Sequence, residues 1–476
     1  MIHDLEKIDN NFLNTNYDIC IVGAGAAGIT LANKLSDKGL NVILCEAGSD
    51  EYSEVSQKNY IGKIKGDPYF DLDIARLRYL GGTTNHWNGM CRPFEKIDFE
   101  RNYLGEQFVW PIKYSEIYKY QKEACEILEI KNDFLINNES NEIAEKINFK
   151  FSPPVRFKDK YINKLKTSSN VTLILNANLT DVQGTDGKIL TAIFKNYNNN
   201  QISISAKKFI FAMGGLENSR YLLWFAEKYK SKYFDTKCPI GKYWMEHPHF
   251  TLGSALVNKK VINAGFFSIN EKFQKKFKIL NCGFRINEIS HKETNEKIKE
   301  IMCIAPRLGI SLASLFDKNL VCGARLFAAW EQEPNIANAV KLTREISPLG
   351  IPSIELNWKK TEFDRKTIKQ SVNLFNQWLL DKELGRLQLF NWMIKNEDYP
   401  DYDELAGYHH MGGTRMSNSS EFGVVDSNCK VYGSKNLYIA GSSIFTTGGH
   451  NNPTLPIVQF TLRLADHLFQ TKDNLN

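Results

Sequence analysis

The stretch YDICIVGAGAAGITLANKLSDKGLNVILCEAGSD, residues 17–50, decides the fold. Residues 17–22, YDICIV, form a short apolar run that stops at glycine, the pattern of a buried parallel strand. Helical spacing follows, with Ile29, Leu31, Ala32 and Leu35 on one side, Lys34 and Lys38 on the other, and Gly39 as a C-terminal stop. A second apolar run, NVILCEAG (41–48), reads as another buried strand. Strand, glycine turn, helix and strand within about 30 residues make a βαβ unit.

Gly23-Ala24-Gly25-Ala26-Ala27-Gly28 is a G-x-G-x-x-G at the junction of strand and helix. Gly23 permits the tight turn. Gly25 lets the backbone approach a pyrophosphate at the helix N-terminus, where free N–H groups and the helix dipole favour negative charge. Gly28 allows the helix to pack closely on the strand. Glu46 follows Gly28 by 18 residues, near the ~20 expected of a carboxylate that accepts ribose hydroxyls. The hexapeptide alone also fits a glycine turn in an unliganded lobe. Its setting between two strands, with an acid ending the second, makes it a dinucleotide site. Glu46 tells against a 2′-phosphate and does not separate NAD from FAD.

Further apolar strands are expected at VTLIL (171–175), KFIFAM (208–213) and NLYIAG (436–441), each ending near a glycine or polar loop. Residues 240–405 instead mix short strands with amphipathic helices such as 363–384. The chain has 476 residues, with 60 Lys+Arg against 54 Asp+Glu, and the charges are interspersed. That length predicts two or more lobes, and that balance excludes a dedicated nucleic-acid binder. No apolar run reaches the 18 or so residues of a membrane span. The N-terminal MIHDLEKIDNNF lacks the apolar core of a signal peptide, which predicts a cytoplasmic protein. Nine scattered cysteines (20, 45, 91, 125, 238, 282, 303, 322 and 429), with no C-x-x-C pair, predict reduced thiols packed as small hydrophobes and no metal site.

Four more blocks extend the reading: LRYLGGTTNHWNGMCRPF (77–94), FIFAMGGLENSRYLL (209–223), YHHMGGTRM (408–416) and NLYIAGSSIFTTGGHNNPTLPIVQFTLRLADHL (436–468). With the βαβ unit, their order and content resemble the glucose–methanol–choline (GMC) family of FAD-dependent alcohol and sugar oxidoreductases. IGKYWMEHPH (240–249) and EQEPNIANAVKLT (331–343) also look like family segments. The GGTTNHW block and the N-P-T ending are similar to the pyranose-oxidase and bacterial sugar-dehydrogenase branch. The resemblance implies an α/β fold with a discontinuous Rossmann-type FAD-binding domain (16–110, 165–240 and 405–476). An α+β substrate-binding domain with an antiparallel sheet would take 111–164 and 241–404.

The activity it implies is oxidation of a CH–OH group of a sugar, glycoside, polyol or similar alcohol, with hydride passing to flavin N5. By resemblance the base is His410 and its partner Asn452, which orients the substrate oxygen. An imidazole titrates near ~6.5 unperturbed, which suits proton transfer near neutral pH. His409 and His450 compete for the base's role. If 408–411 is extended, adjacent side chains point to opposite faces, so only one of His409 and His410 meets the flavin. His86 matches the histidine that pyranose oxidase bonds to the flavin 8α-methyl, and two readings stay open: a covalent link, or packing beside the ring. Trp87, Asn88 and Met90 are assigned beside the isoalloxazine, and Gly82, Ala212 and Gly214 to the cofactor. Gly441 and Ser442 fall by the pyrophosphate or ribityl chain, Pro453 and Thr454 by the pyrimidine end, and Ala177 and Leu179 by adenine. One departure is clear: the family's G-A-x-x-S-P-x-L-L run is replaced by Ala212-Met213-Gly214-Gly215-Leu216-Glu217-Asn218-Ser219. The electron acceptor is left as O₂, a quinone or a cytochrome. Rival readings are an amine-oxidase-like flavoprotein and a non-catalytic flavin-binding electron-transfer subunit.

Overall fold

Strand β1 (Tyr17–Val22), helix α1 (Ala26–Asp37) and strand β2 (Val42–Cys45) form the βαβ unit, with the two strands parallel. They belong to a computed structural model that describes residues 1–7, 17–135, 141–153, 156–288, 320–400 and 406–472. Gly39 takes φ +81° just past α1, and its N–H donates to the Ser36 carbonyl at 2.9 Å. A Cβ at Gly28 would lie 1.9 Å from the Gly23 carbonyl oxygen, so only glycine lets α1 sit on its turn. Ile19, Ile21, Val42, Ile43 and Leu44 are fully buried, each a burial of about 1.5–3 kcal/mol.

β2 continues in parallel to β3 (Val171–Leu175) and then to Ile2–Asp4. On its other side β1 pairs in parallel with β4 (Gln201–Phe211), which pairs in turn with Leu437–Ile439. The first half of β4 instead pairs antiparallel with Lys188–Lys195, and that strand with Asn178–Thr185. The sheet is therefore mixed. Its parallel half presents strand ends, and the loops after them, at one edge.

Helix α2 (Gly214–Tyr229) follows β4 directly. A second sheet is antiparallel throughout. Its order is Gly385–Leu389, β5 (His249–Asn258), β8 (Leu320–Trp330), β7 (Cys282–Asn287), β6 (Phe266–Ile269) and Ala144–Ile147. Helix α3 (Glu362–Asp381) covers one face, burying Ile368, Val372, Phe375 and Leu379 in the same core as Phe284, Ile286 and Leu326. It starts at a capping box, in which the Asp364 N–H donates to Thr361 Oγ at 3.1 Å and the Thr361 N–H to Asp364 Oδ2 at 2.7 Å. The chain thus has the α/β character expected of it, with a separate antiparallel sheet. Of residues 111–164, Ala144–Ile147 joins that sheet. The helices Tyr114–Tyr118 and Gln121–Ile127 pack on α4 (Thr454–Gln470), where Arg463 pairs with Glu116 at 3.0 Å and the Tyr120 hydroxyl donates to Asp466 at 2.8 Å.

A buried polar cluster ties the segment at 98–101 to the ends of β7 and β8. Arg101 pairs with Asp98 at 3.1 Å and with Glu331, and the Asn281 amide donates to Asp98 at 2.7 Å and to Glu331 at 3.0 Å. Seven cysteines (20, 45, 91, 125, 238, 282 and 429) are buried and unbonded. Cys303 lies outside the described residues, as does the side chain of Cys322. Among the described residues no helix is long and apolar enough to cross a membrane.

Candidate active site

Between the sheets lies a cavity of about 1230 Å³. That exceeds the roughly 300–1,000 Å³ of an ordinary ligand pocket, as a site holding an extended dinucleotide together with a substrate requires. The structure brings most of the expected residues to it. Gly23, Gly25, Glu46, Gly82, His86, Trp87, Asn88, Ala212, His410, Gly441, Ser442, Asn452, Pro453 and Thr454 all line it, as do Met90, Leu179 and Gly214. Two do not. Gly28 packs behind the turn, and Ala177 is buried in the core.

At one end Glu46 is buried, accepting the Ala24 N–H at 2.8 Å and the Gly48 N–H at 2.9 Å. Burial pushes its carboxyl up, against those N–H bonds and the Arg78 charge. Nothing lies within 4 Å of where a Gly25 Cβ would stand, so the backbone is bare toward the cavity. Three helices start at the cavity wall, at Ala26, Gly214 and Thr454, and none of their first turns is capped by a side chain. Their unbonded N–H groups suit a pyrophosphate. These features fit FAD.

At the other end stands His410. It is buried against Tyr69 and Trp244, with ring centroids 6.1 and 5.7 Å away, and its Nε2 has no hydrogen-bond partner. Burial, and behind it the Arg76 charge, pushes the imidazole down to about 3, so the ring is neutral at pH 7. The backbone around it is tightly held. Ser442 Oγ donates to the His410 carbonyl at 2.6 Å, the Gly412 N–H donates to the Ser442 carbonyl at 3.1 Å, and Met411 bridges Met245.

The alternation argument for His409 fails. Residues 408–411 are not a strand, and Tyr408 takes φ +58°. Both histidines consequently line the cavity. The His409 ring is engaged elsewhere, its Nδ1 2.8 Å from Nδ1 of His247, so one ring donates and the other accepts. Buried Glu246 anchors this corner, accepting the His409 N–H at 2.7 Å, the His247 N–H at 2.8 Å and the Tyr69 hydroxyl. Burial pushes Glu246 up to about 7 despite those bonds. His450 also lines the cavity, with both ring nitrogens unbonded and Nε2 3.8 Å from Glu95.

Sequence reasoning missed several wall residues. His247 and His249 stood inside the quoted IGKYWMEHPH block without a role. Arg76, Arg78, Glu217 and Arg285 also line the cavity; the first three stand in or beside quoted blocks without a role, and Arg285 stands in none.

Gly215 sets the position of His410. A Cβ there would fall 2.2 Å from the His410 carbonyl oxygen and 2.6 Å from its Cβ. Gly215→Ala should therefore displace the imidazole and slow substrate-driven bleaching of bound flavin by about tenfold or more, while flavin content is kept. Stopped-flow absorbance checks this, and an unchanged rate would show that the loop accommodates the methyl.

Residues 334–461 match the family model described as GMC oxidoreductase. The chain is 22% identical to the fructose dehydrogenase large subunit of Gluconobacter japonicus, over 94% of this chain and 97% of that protein. It is 20% identical to 2-methyl-1,2-propanediol dehydrogenase of Mycolicibacterium austroafricanum, over 95% of each. Among solved structures, pyridoxine 4-oxidase from Mesorbium loti superposes with a TM-score of 0.60 at 15% identity, covering 95% of this chain and 99% of that one. That likeness bears on the fold.

Proposed function

We propose that this chain is an FAD-dependent oxidoreductase of the GMC family that oxidises a CH–OH group of a sugar, polyol or similar polar alcohol. One observation carries the reading: a neutral, buried His410 with an unbonded Nε2 lines the same cavity as Asn452 and the Gly23–Glu46 dinucleotide end. The GMC match over 334–461 and the two dehydrogenases named above, which by name take a ketose and a diol, support it. The fructose enzyme favours the sugar-oxidising branch of the family.

When bound, FAD supplies a hydride acceptor at N5. Everything else falls to the chain. Glu46 takes the ribose hydroxyls on lone pairs that the Ala24 and Gly48 N–H groups leave free. The starts of α1 and α4 hold the pyrophosphate and pyrimidine ends. His410 Nε2 accepts the hydroxyl proton, and the Asn452 carboxamide fixes the oxygen that loses it. His86 is assigned to the edge of the isoalloxazine, as a packing or covalently linked neighbour. Electrons leave to O₂, a quinone or a cytochrome.

The purified protein should be yellow, release or retain one FAD per chain, and bleach anaerobically with at least one member of an alcohol and sugar panel. Amines bleaching it where alcohols do not would favour an amine-oxidase-like enzyme. A yellow protein that no donor bleaches would leave an electron-transfer subunit.

A further inference from the structure

The antiparallel sheet turns one face to the cavity, and strand alternation selects the side chains that reach it. Along β7, Cys282, Phe284 and Ile286 are buried in the core beneath α3, while Gly283 and Arg285 line the cavity. The register with β8 sets Ala329 beside Gly283 and Phe327 beside Arg285. The Arg285 guanidinium lies 5.4 Å from the Phe327 ring centre and 5.7 Å from that of Phe266 on β6. Two aromatic rings clamp the cation, and two small residues leave open floor next to it.

Among the described residues no carboxylate pairs with Arg285. Its Nε is buried with no hydrogen-bond partner. The carboxylates lining the cavity, among the described residues, are Glu46 and Glu217. Glu46 accepts two backbone N–H groups, and Glu217 pairs with Arg76 at 2.7 Å and Arg220 at 3.1 Å. Of the other lining arginines, Arg76 has Glu217 as a counter-charge, and the Arg78 guanidinium is taken up by neutral acceptors, Ser56 at 2.9 Å and Asn178 at 2.8 Å. Arg285 is half-buried at the cavity wall with Nε unbonded, and an oxyanion entering the cavity would gain charge-assisted hydrogen bonds from its guanidinium. Arg285 lines the same cavity as His410. His249 lies within its field, and the His249 and His409 rings are 6.2 Å apart, one residue from His410.

We infer that the alcohol oxidised at His410 carries an oxyanion, a carboxylate or a phosphate, which the clamped Arg285 guanidinium holds at the sheet wall. The inference rests on the proposed alcohol oxidation. It narrows the substrates to hydroxy acids, sugar acids or sugar phosphates.

Calorimetric titration of the full-length holoenzyme with glucose, glucuronate and glucose 6-phosphate, and with glycerol, glycerate and glycerol 3-phosphate, tests it without needing turnover. At least one anionic member should bind, about tenfold or more tighter than its neutral parent. Which anion binds distinguishes carboxylate from phosphate. Arg285→Met should abolish that preference and leave neutral-ligand binding within about twofold, and Arg285→Lys should restore part of it. Circular dichroism shows whether each variant is folded. Equal binding of neutral and anionic members, no binding by any anion, or equal losses for both classes in a folded Arg285→Met would overturn the inference. Flavin bleaching with the same compounds is a separate readout. Anion binding without bleaching leaves Arg285 standing and removes the oxidase reading, whereas bleaching by neutral alcohols with no anion preference does the reverse.

Discussion

Replacing His410 by alanine is expected to slow alcohol-driven reduction of the bound flavin by about 10²–10⁴-fold, with flavin content unchanged. The imidazole is the base we assign; His410 lines the cavity, and its Nε2 has no protein partner to compete for the proton. The FAD contacts are assigned to other residues, so cofactor retention separates loss of the base from collapse of the site. Anaerobic stopped-flow absorbance measures the rate. A fall of less than tenfold would move the role to His409 or His450, which line the same cavity.

The pH profile is the second half of that result. A base works in its unprotonated form, so lowering its pKa moves the acid limb of the rate downward. Burial, then Arg76, places His410 at about 3. Flavin reduction by the parent enzyme should therefore stay nearly flat from pH 8 down to about 5, where an unperturbed imidazole near ~6.5 would already have lost most of its rate. A midpoint near 6.5 would mean that the ring stands in water, contrary to its burial.

The dinucleotide end was legible because its signals are local. Gly23, Gly25, Gly28 and Glu46 sit within one βαβ unit, and each does its work through the turn or strand that carries it. Helix 363–384 was legible for the same reason, and it closes at Asp381 because Lys382 and Glu383 leave the helical conformation. The reaction end was only half legible. His410 stood in a recognisable block, but the alternation used to set aside His409 assumes a strand, and Tyr408 in the left-handed region breaks it. His247 was beyond reach because its partner lies 162 residues away, and no periodicity encodes a contact of that span. Arg285 stood in no quoted motif. Only the register of β6, β7 and β8 reveals that its face of the sheet is a cavity wall. The middle of the chain, where long-range antiparallel pairing dominates, was accordingly read as a mixture and not as a six-stranded order.

The departure at 212–219 yields the largest stability prediction. In this chain the segment leads from β4 into α2, with Asn218 accepting the Met213 N–H at 3.0 Å and donating to the Ala440 carbonyl at 3.1 Å and Ser443 Oγ at 2.9 Å. Glu217, one residue earlier, is the counter-charge for two guanidiniums. Arg76 approaches one carboxylate oxygen and Arg220 the other, and all three side chains are buried. Glu217→Ala strands two cations out of water, and breaking a buried pair in this way costs about 3–5 kcal/mol. The thermal midpoint should drop by several degrees, with Glu217→Gln falling between the variant and the parent. Flavin should also be held less firmly, since Arg76 and Glu217 both line the cavity. The pH dependence gives the sign. Burial alone would raise this carboxyl, but Arg220, Arg76 and Arg78 outweigh it and hold the group below the ordinary range. Its contribution is then fully present above the unfolded value of ~4.3 and disappears only as pH falls through the lower folded value. The parent-minus-variant difference in midpoint should accordingly be constant from pH 8 to 5 and close only in stronger acid. A difference that closes already between pH 7 and 6 would mean that Glu217 is not the ionised partner of these arginines.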